Sequence, residues 1–399
     1  MNPSPLILSA EKHLPAALDL LRRLVAINSF TTNAEGVDAV ASLTAEAFAP
    51  LGFEAELVPC ATPGTGHHLF LSRSGDGAPV VLVTHSDTVF PPGEEAKNDF
   101  KWDERPDEGR IYGPGTIDNK GGTALIWLML QVLREVTPDF FEKTHWLIAS
   151  NAAEEITGDD FGRATDERCG GRARAVLVFE GGPVDELGWH IVTSRKGRST
   201  WKLYAEGRAA HAGSKHHEGI NAIDALARVL PDIAAQTNEA ADRTVNIGHI
   251  HGGTVVNRVP HEASAEWECR ATSPDALRAA DDFFANLSGI SPSGASLTAT
   301  RTGHTTPWPG GTESEALYQL WEKAAAAMGL TTVSVPRGGL SDANHLSHLG
   351  PTLDGLGPFG GNAHCSERSD DGSKLPEFVE PESLVAKAVM NALALMEMA

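Results

Sequence analysis

Histidine and carboxylate side chains follow several apolar segments of this 399-residue chain. His85 and Asp87 are two residues apart at the end of an apolar run, so a strand there would point both side chains to the same face. Asp118 lies in the glycine-rich segment GPGTIDNKGG, and the adjacent Glu154 and Glu155 follow another apolar run. These residue types can hold metal ions and transfer protons.

Two further residues complete the candidate set. Glu180 ends a third apolar run, and His364 lies in a late loop that is rich in glycine. Two histidines and three carboxylates, with no cysteine, suit a pair of divalent ions, for which zinc is the first candidate and manganese or cobalt are alternatives. Two such ions can share one bridging aspartate and activate a water between them. In the Glu-Glu pair, one carboxylate can be a ligand while its neighbour accepts the proton of the water.

The apolar segments predict the elements that would bring these side chains together. Runs at 78–89, 145–152 and 174–182 are typical of strands buried on both faces, and the segment 123–136 predicts a helix. This order indicates an α/β sheet with parallel members. Because ligands bind at the carboxyl ends of the strands in open α/β sheets, the polar residues lie where a site would be built.

The middle of the chain has a different pattern. Residues 189–303 alternate in the manner of antiparallel strands and contain helix candidates at 220–230 and 275–287. We therefore predict a separate α+β domain at 189–303 that interrupts a first domain made of 1–188 and 304–399. Helical spacing of apolar residues predicts further helices at 11–27, 38–48, 313–328 and 382–398.

Composition and charge narrow the class of protein. Lys plus Arg number 32 against 53 Asp plus Glu, and the resulting formal net charge of −21 disfavours a nucleic-acid partner. Apolar stretches fall short of the roughly 18 residues that a membrane span needs, and the N-terminus lacks the basic region of a secretory signal. The four cysteines are widely scattered, which predicts reduced thiols. We expect a cytoplasmic protein with neither nucleic acid nor membrane as a partner.

Five motifs occur in a characteristic order: THSDTV, YGPGTIDNKGG, NAAEE, FEGG and NAH. They resemble the dinuclear zinc exopeptidases and deacylases, a family that includes glutamate carboxypeptidase (carboxypeptidase G), aminoacylase, acetylornithine deacetylase and succinyl-diaminopimelate desuccinylase. The likeness continues in HAG at 211–213 and GGTVVNRVP at 252–260. It implies a zinc-exopeptidase-like mixed α/β sheet flanked by helices, with an inserted α+β lid and dimerisation domain.

The resemblance also implies a role for each candidate residue. By motif position, His85 and Glu180 would bind one zinc ion, and Glu155 and His364 would bind the other. Asp118 would bridge the two ions. Glu154 would be the general base, and Asp87 would be the partner of His85. In the inserted domain, His211 would reach the active site of the partner subunit and stabilise the oxyanion. The carboxylate of the substrate would be bound by Asn257, Arg270 and the backbone N–H groups of Gly338 and Gly339.

The glutamate at 180 is similar to the carboxypeptidase and deacylase branch of the family, since the di- and tripeptidases tend to have an aspartate there. The YGPG turn is more similar to carboxypeptidase G than to the deacetylases. We expect a homodimeric, zinc-dependent, glutamate carboxypeptidase-like exopeptidase that cleaves an amide bond next to a free carboxylate. Two alternatives stay open: an N-acyl amino acid deacylase of the acetylornithine or succinyl-diaminopimelate type, and a non-catalytic metal-binding scaffold. Arg270 has an alternative of its own, because Glu268 or Glu266 could pair with it along the same strand.

Overall fold

Helices and strands alternate along the chain in the computed structural model, which describes residues 2–156, 158 and 160–398. The helices are α1 Ser4–Val25, α2 Ala34–Phe48, α3 Pro92–Asn98, α4 Lys120–Val136, α5 Pro138–Lys143, α6 Phe161–Cys169, α7 Ala222–Ala234, α8 Pro274–Ala285, α9 Thr312–Ala327, α10 Ala343–Leu346 and α11 Pro381–Glu397. The strands are β1 Glu54–Pro59, β2 His67–Arg73, β3 Asp76–His85, β4 Asp103–Arg105, β5 Arg110–Tyr112, β6 Thr144–Asn151, β7 Ala175–Val178, β8 Val184–Asp185, β9 Gly188–Arg195, β10 Gly197–Glu206, β11 Arg243–Gly252, β12 Glu262–Ala271, β13 Gly289–Ile290, β14 Ser296–Thr305, β15 Thr332–Arg337, β16 Thr352–Leu353, β17 Gly360–Gly361 and β18 Phe378–Val379.

The chain divides into two compact units. Unit 1 comprises Met1–Thr193, Gly310–Pro336 and Ser341–Ala399, and unit 2 comprises Ser194–Pro309 and Arg337–Leu340. A mixed sheet with helices, interrupted in the chain by a second α+β unit, confirms the predicted fold class. The domain boundaries inferred from the sequence stay a prediction.

The central sheet of unit 1 has the strand order β1-β2-β6-β3-β7-β16. Strand β3 lies between β6 and β7, and it is parallel to both, as the apolar runs predicted. The antiparallel strands β1 and β2, which the sequence analysis did not assign, extend the sheet beyond β6. Because β3, β6 and β7 run in the same direction, the residues that follow them share one edge of the sheet.

Helix α4 is buried along almost its whole length, from Lys120 to Leu133. It begins two residues after Asp118 and packs close to the end of β7. A Cβ at Gly122 would lie 2.1 Å from Asn119 Oδ1 and 2.4 Å from the carbonyl oxygen of Phe179, so only glycine permits this approach. The close contact fixes the Asp118 segment beside the carboxyl edge of the sheet. Among the described residues, no helix is both long and apolar enough to cross a bilayer.

Unit 2 contains an antiparallel sheet with the strand order β11-β12-β10-β14-β13. Its core includes Trp201 on β10, Trp267 on β12 and Phe284 on α8. Side chains of β12 alternate between this core and the opposite face of the sheet, so Glu268 and Arg270 share the face that lies away from the core. Strand β11 forms one edge of this sheet and is largely exposed.

The four cysteines are free thiols, as their spacing predicted. Cys169 and Cys269 are buried, and burial raises their thiol pKa values to about 12 and about 11. Both therefore stay protonated and unreactive near neutral pH.

Candidate active site

His85, the last residue of β3, is almost fully buried. Its Nε2 lies 2.8 Å from Asp118 Oδ1 and 3.7 Å from Glu180 Oε1. Its Nδ1 hydrogen-bonds to the backbone carbonyl oxygen of Asp87 at 3.1 Å, and Asp87 Oδ1 lies 3.3 Å away. Since an Nδ1–H that donates to a carbonyl leaves Nε2 unprotonated in the neutral ring, the atom that faces the two carboxylates can be a metal ligand.

Asp118 presents one carboxylate oxygen to each of the two candidate histidines. Its Oδ1 faces His85, and its Oδ2 lies 3.2 Å from His364 Nε2. Burial alone would raise the pKa of Asp118, but hydrogen bonds from His364 and His85 outweigh burial and hold the pKa well below its ordinary value. An ionised carboxylate placed in this way can bridge two cations.

His364 and Glu155 form the second pair of candidate ligands beside Asp118. His364 Nε2 lies 3.2 Å from Glu155 Oε2, and hydrogen bonds with Asp118 and Glu155 raise the pKa of His364 to about 11. Glu155 Oε1 is buried and has no hydrogen-bond partner among the described residues. Ligand atoms of His85, Asp118 and Glu155 all lie within 4.8 Å of one another. A buried carboxylate oxygen without a donor is costly, and a cation at this position would compensate it.

Asp87 supports the turn that carries Glu154 and Glu155, besides approaching His85. Its Oδ1 accepts a hydrogen bond from the backbone N–H of Glu154 at 3.1 Å, and its Oδ2 accepts one from Glu155 N–H at 3.3 Å. The hydroxyl of Thr31 donates to the same Oδ2 at 2.7 Å. One fully buried carboxylate therefore orients both the first histidine and the glutamate pair.

Glu154 opens the short 3-10 helix that follows β6. Burial raises the pKa of its carboxyl group well above the ordinary value, with the charge of His85 opposing this and the charges of Glu180 and Asp342 adding to it. A raised pKa suits a group that accepts and returns a proton near neutral pH. The role of general base stays a prediction.

Sequence reasoning missed Glu377, a fully buried residue beside the site. Its Oε1 accepts hydrogen bonds from the backbone N–H groups of Ile117 at 2.8 Å and Asp118 at 3.1 Å. No motif or spacing in the sequence relates a glutamate to a loop about 260 residues before it, so only the fold reveals this contact.

A second cluster, formed by Cys60, His68 and Asp160, has residue types that can bind metal. His68 Nδ1 accepts a hydrogen bond from the backbone N–H of Ala152 at 3.1 Å. The neutral ring therefore carries its proton on Nε2, the atom that lies 3.4 Å from Asp160 Oδ2. Since a protonated nitrogen cannot ligate a cation, the contacts of His68 argue for a structural role of this cluster.

The other predicted residues belong to unit 2. His211 Nδ1 accepts hydrogen bonds from the backbone N–H groups of Gly213 at 3.1 Å and Ser214 at 3.2 Å. The proton of the neutral ring therefore lies on Nε2, which can donate to an oxyanion. The carbonyl oxygen of Asn257 accepts a hydrogen bond from Ala212 N–H at 3.0 Å, which holds the Asn257 segment beside His211.

Arg270 has partners within unit 2. Its Nε and Nη2 donate to the two carboxylate oxygens of Glu268 at 3.0 and 3.1 Å, and its Nη1 donates to the carbonyl oxygen of Gly338 at 3.0 Å. The carbonyl oxygen of Gly339 accepts a hydrogen bond from Arg195 at 3.0 Å. The pairing with Glu268 that the sequence left open is thus present. A guanidinium has five N–H donors, so these contacts still leave donors for a substrate carboxylate.

Comparison with known proteins gives one matched domain, a related enzyme and a shared fold. Residues 193–288 match the family model of the M20 peptidase dimerisation domain. An acetylornithine deacetylase from Pectobacterium carotovorum is 28% identical over 265 residues, which cover 62% of this chain and 65% of the length of that relative.

Two solved structures share the fold over nearly the whole chain. An aminopeptidase from Bacillus cereus has a TM-score of 0.76 at 21% identity, and the match covers 96% of this chain and 98% of that one. An M20 family metallo-carboxypeptidase from Sulfolobus solfataricus has a TM-score of 0.67 at 15% identity, with the same coverage of both chains. These likenesses show the fold of the chain, and residues 193–288 are similar to the dimerisation domain of M20 peptidases.

Proposed function

We propose that this chain is a metal-dependent hydrolase that cleaves an amide bond next to a free carboxylate, as glutamate carboxypeptidases do. The observation that carries the proposal is the two-sided contact of Asp118, whose two oxygens face His85 and His364. Each histidine also approaches a second carboxylate, Glu180 for His85 and Glu155 for His364. This arrangement offers two adjacent sets of ligands with one shared carboxylate.

Two zinc ions are the proposed cofactors, with manganese or cobalt as alternatives. The donor set fits borderline divalent ions. Glu155 Oε1, which is buried without a hydrogen-bond partner in the part of the chain that the structure describes, supports a cation beside it. His85 and Glu180 would hold one ion, His364 and Glu155 the other, and Asp118 would contact both. When bound, such ions polarise a substrate carbonyl and lower the pKa of water.

Glu154 would accept the proton of the attacking water and return it to the leaving amine. Its burial next to Glu180 and Asp342 favours the protonated form after the first transfer. Asp87 would keep the backbone of Glu154 in place through its hydrogen bond. We propose that His211 donates its Nε2 proton to the developing oxyanion and, from the family resemblance, that it does so in the partner subunit.

The proposed substrate is a small peptide or N-acyl amino acid with a free carboxylate. Arg270 would bind this group with the N–H donors that Glu268 and Gly338 leave available, and we propose that Asn257 and the backbone of Gly338 and Gly339 complete the pocket. The YGPG turn favours the carboxypeptidase type, whereas Glu180 is compatible with carboxypeptidases and deacylases alike. The second candidate is an N-acyl amino acid deacylase, which the 28% identity with an acetylornithine deacetylase favours.

We also propose a homodimer in the cytoplasm. The match of residues 193–288 to a peptidase dimerisation domain supports the dimer, and the largely exposed edge strand β11 offers backbone groups for pairing. The free cysteines support a reducing compartment.

Hydrolysis assays with defined metal content test the proposal. The purified chain, stripped with a chelator and reloaded with zinc, manganese or cobalt, would be tested on N-acyl glutamates and peptides ending in glutamate. N-acetylornithine and N-succinyl-diaminopimelate would be tested in parallel. We expect no turnover without metal and the highest kcat/KM on the glutamate substrates. A preference for N-acetylornithine would favour the deacylase, whereas two bound metals without hydrolysis of any substrate would indicate the non-catalytic scaffold.

A further inference from the structure

Glu377 connects the two loops that carry the central candidate ligands of unit 1. Its backbone N–H donates to the carbonyl oxygen of Cys365 at 2.7 Å, next to His364, and its carbonyl oxygen accepts the N–H of Gly113 at 3.2 Å. The following strand β18 pairs with β5, so the main chain is fixed on both sides. Glu377 is thus bonded to the Asp118 loop, which we define as residues 113–119, and to the His364 loop.

The side chain of Glu377 reaches the bridging residue itself. Its Oε1 accepts the backbone N–H groups of Ile117 and Asp118 at 2.8 and 3.1 Å. Two hydrogen bonds from consecutive amides to one oxygen determine the orientation of that peptide segment. Because the Asp118 side chain extends from this segment, the same two bonds determine where its carboxylate points.

Burial of the Glu377 carboxylate at this position costs free energy of folding. The carboxylate is fully buried, its Oε2 has no hydrogen-bond partner among the described residues, and the negative charges of Asp118 and Glu155 act on it. An apolar side chain would avoid the buried orphan oxygen, but it would leave the N–H groups of Ile117 and Asp118 without this acceptor. The hydrogen bonds to the Asp118 segment are therefore the favourable contribution that offsets the burial of this side chain.

We propose that Glu377 is a positioning residue, which holds the Asp118 loop through Oε1 so that the two carboxylate oxygens of Asp118 face the two metal positions. The inference rests on the function proposed above, because it presumes that Asp118 bridges two cations. Glu377 does not contact substrate or metal in this account. Its loss should therefore change metal affinity, while the ligand set stays complete.

Zinc affinity of the stripped full-length chain, measured by competition with a chromophoric chelator, tests this role. Glu377→Leu should weaken zinc binding by about 10-fold to 100-fold, the effect typical of residues that orient ligands. Glu377→Gln keeps an acceptor oxygen and should restore affinity close to that of the unchanged chain. Asp281→Leu is the control, since it removes a buried carboxylate of unit 2 that accepts a hydrogen bond from Trp201 at 2.9 Å, and it should leave zinc affinity unchanged.

Each outcome decides between the two proposals. Tight zinc binding by the unchanged chain together with unchanged affinity of folded Glu377→Leu would overturn the positioning role and leave the proposed function standing. An equal loss for Glu377→Gln and Glu377→Leu would also overturn it, since an acceptor oxygen would then not be the cause. Absence of zinc binding by the unchanged chain would overturn both. If Glu377→Leu does not fold, Glu377→Asp is the second variant, because its side chain is one methylene shorter and moves the acceptor oxygen away from the two backbone N–H groups. Unchanged zinc affinity of Glu377→Asp would refute the inference.

Discussion

Replacing Glu154 by Gln separates proton transfer from metal binding in the proposed mechanism. The substitution keeps the shape of the side chain and removes the carboxylate that would accept the proton of water. General acid-base groups contribute about 100-fold to 10,000-fold to rate, so kcat should fall by that factor, or about 3–5 kcal/mol in activation free energy at 1.36 kcal/mol per tenfold. KM should change little, because Glu154 is not placed to hold the substrate.

Metal content should stay the same in Glu154→Gln. Glu154 is not among the predicted ligands, and it lies close enough to Glu155 and Glu180 for their charges to raise its pKa. Removing one negative charge relieves this repulsion without removing a ligand. The assay combines steady-state hydrolysis with elemental analysis of the same protein samples.

Glu155→Gln is the matched control, since it changes the neighbouring carboxylate that faces His364 at 3.2 Å. We expect this variant to lose metal as well as activity. Unchanged kcat in Glu154→Gln would refute the base role, and so would a loss of activity that metal depletion fully accounts for.

Three other substitutions test separate parts of the molecule. His364→Ala should lower the metal content from two ions per chain to one, measured by elemental analysis, while His85 keeps its carboxylate partners. Arg270→Leu should raise KM for carboxylate substrates by about 10-fold to 100-fold, because hydrogen bonds to charged groups contribute about 1.5–3 kcal/mol; an unchanged KM would contradict the assigned contact. Lys387→Met should flatten the pH dependence of unfolding. Burial lowers the pKa of Lys387 to about 7, against the opposing charge of Asp354, from an ordinary value of 10.5. Between these values the unfolded chain binds the additional proton, so stability should rise with pH by up to about 1.4 kcal/mol per unit, and chemical denaturation across this range would measure the slope.

The sequence predicted the elements that carry the site because their signals are local. The apolar runs before His85, Glu154 and Glu180 correspond to β3, β6 and β7, which are adjacent and parallel. Polar residues that follow parallel strands necessarily share one edge of a sheet. The proximity of His85, Asp118 and Glu155 therefore could be predicted without coordinates.

Contacts that depend on side-chain competition could not be predicted in this way. The sequence suggested Asp87 as the partner of His85, but the same carboxylate also binds two backbone N–H groups of the glutamate turn. It offered a pairing of Arg270 with Glu268 only as an alternative, and the structure contains that pairing. In both cases several partners are within reach, and the geometry of the folded chain decides among them.

The formal net charge of −21 would oppose binding of a substrate that carries a carboxylate only if the site had the sign of the whole chain. Asp118, Glu155 and Glu180 contribute three negative charges at the carboxyl edge of the sheet, and two divalent ions would add four positive charges there. The ions would thus outweigh the charges of their own three carboxylate ligands, which electrostatics near a bound metal must take into account. Long-range repulsion is screened over about 8–10 Å at physiological salt, so the local charge governs binding. The acidic surface and an acidic substrate are therefore compatible only in the metal-loaded chain, and added chelator should abolish substrate binding as well as turnover.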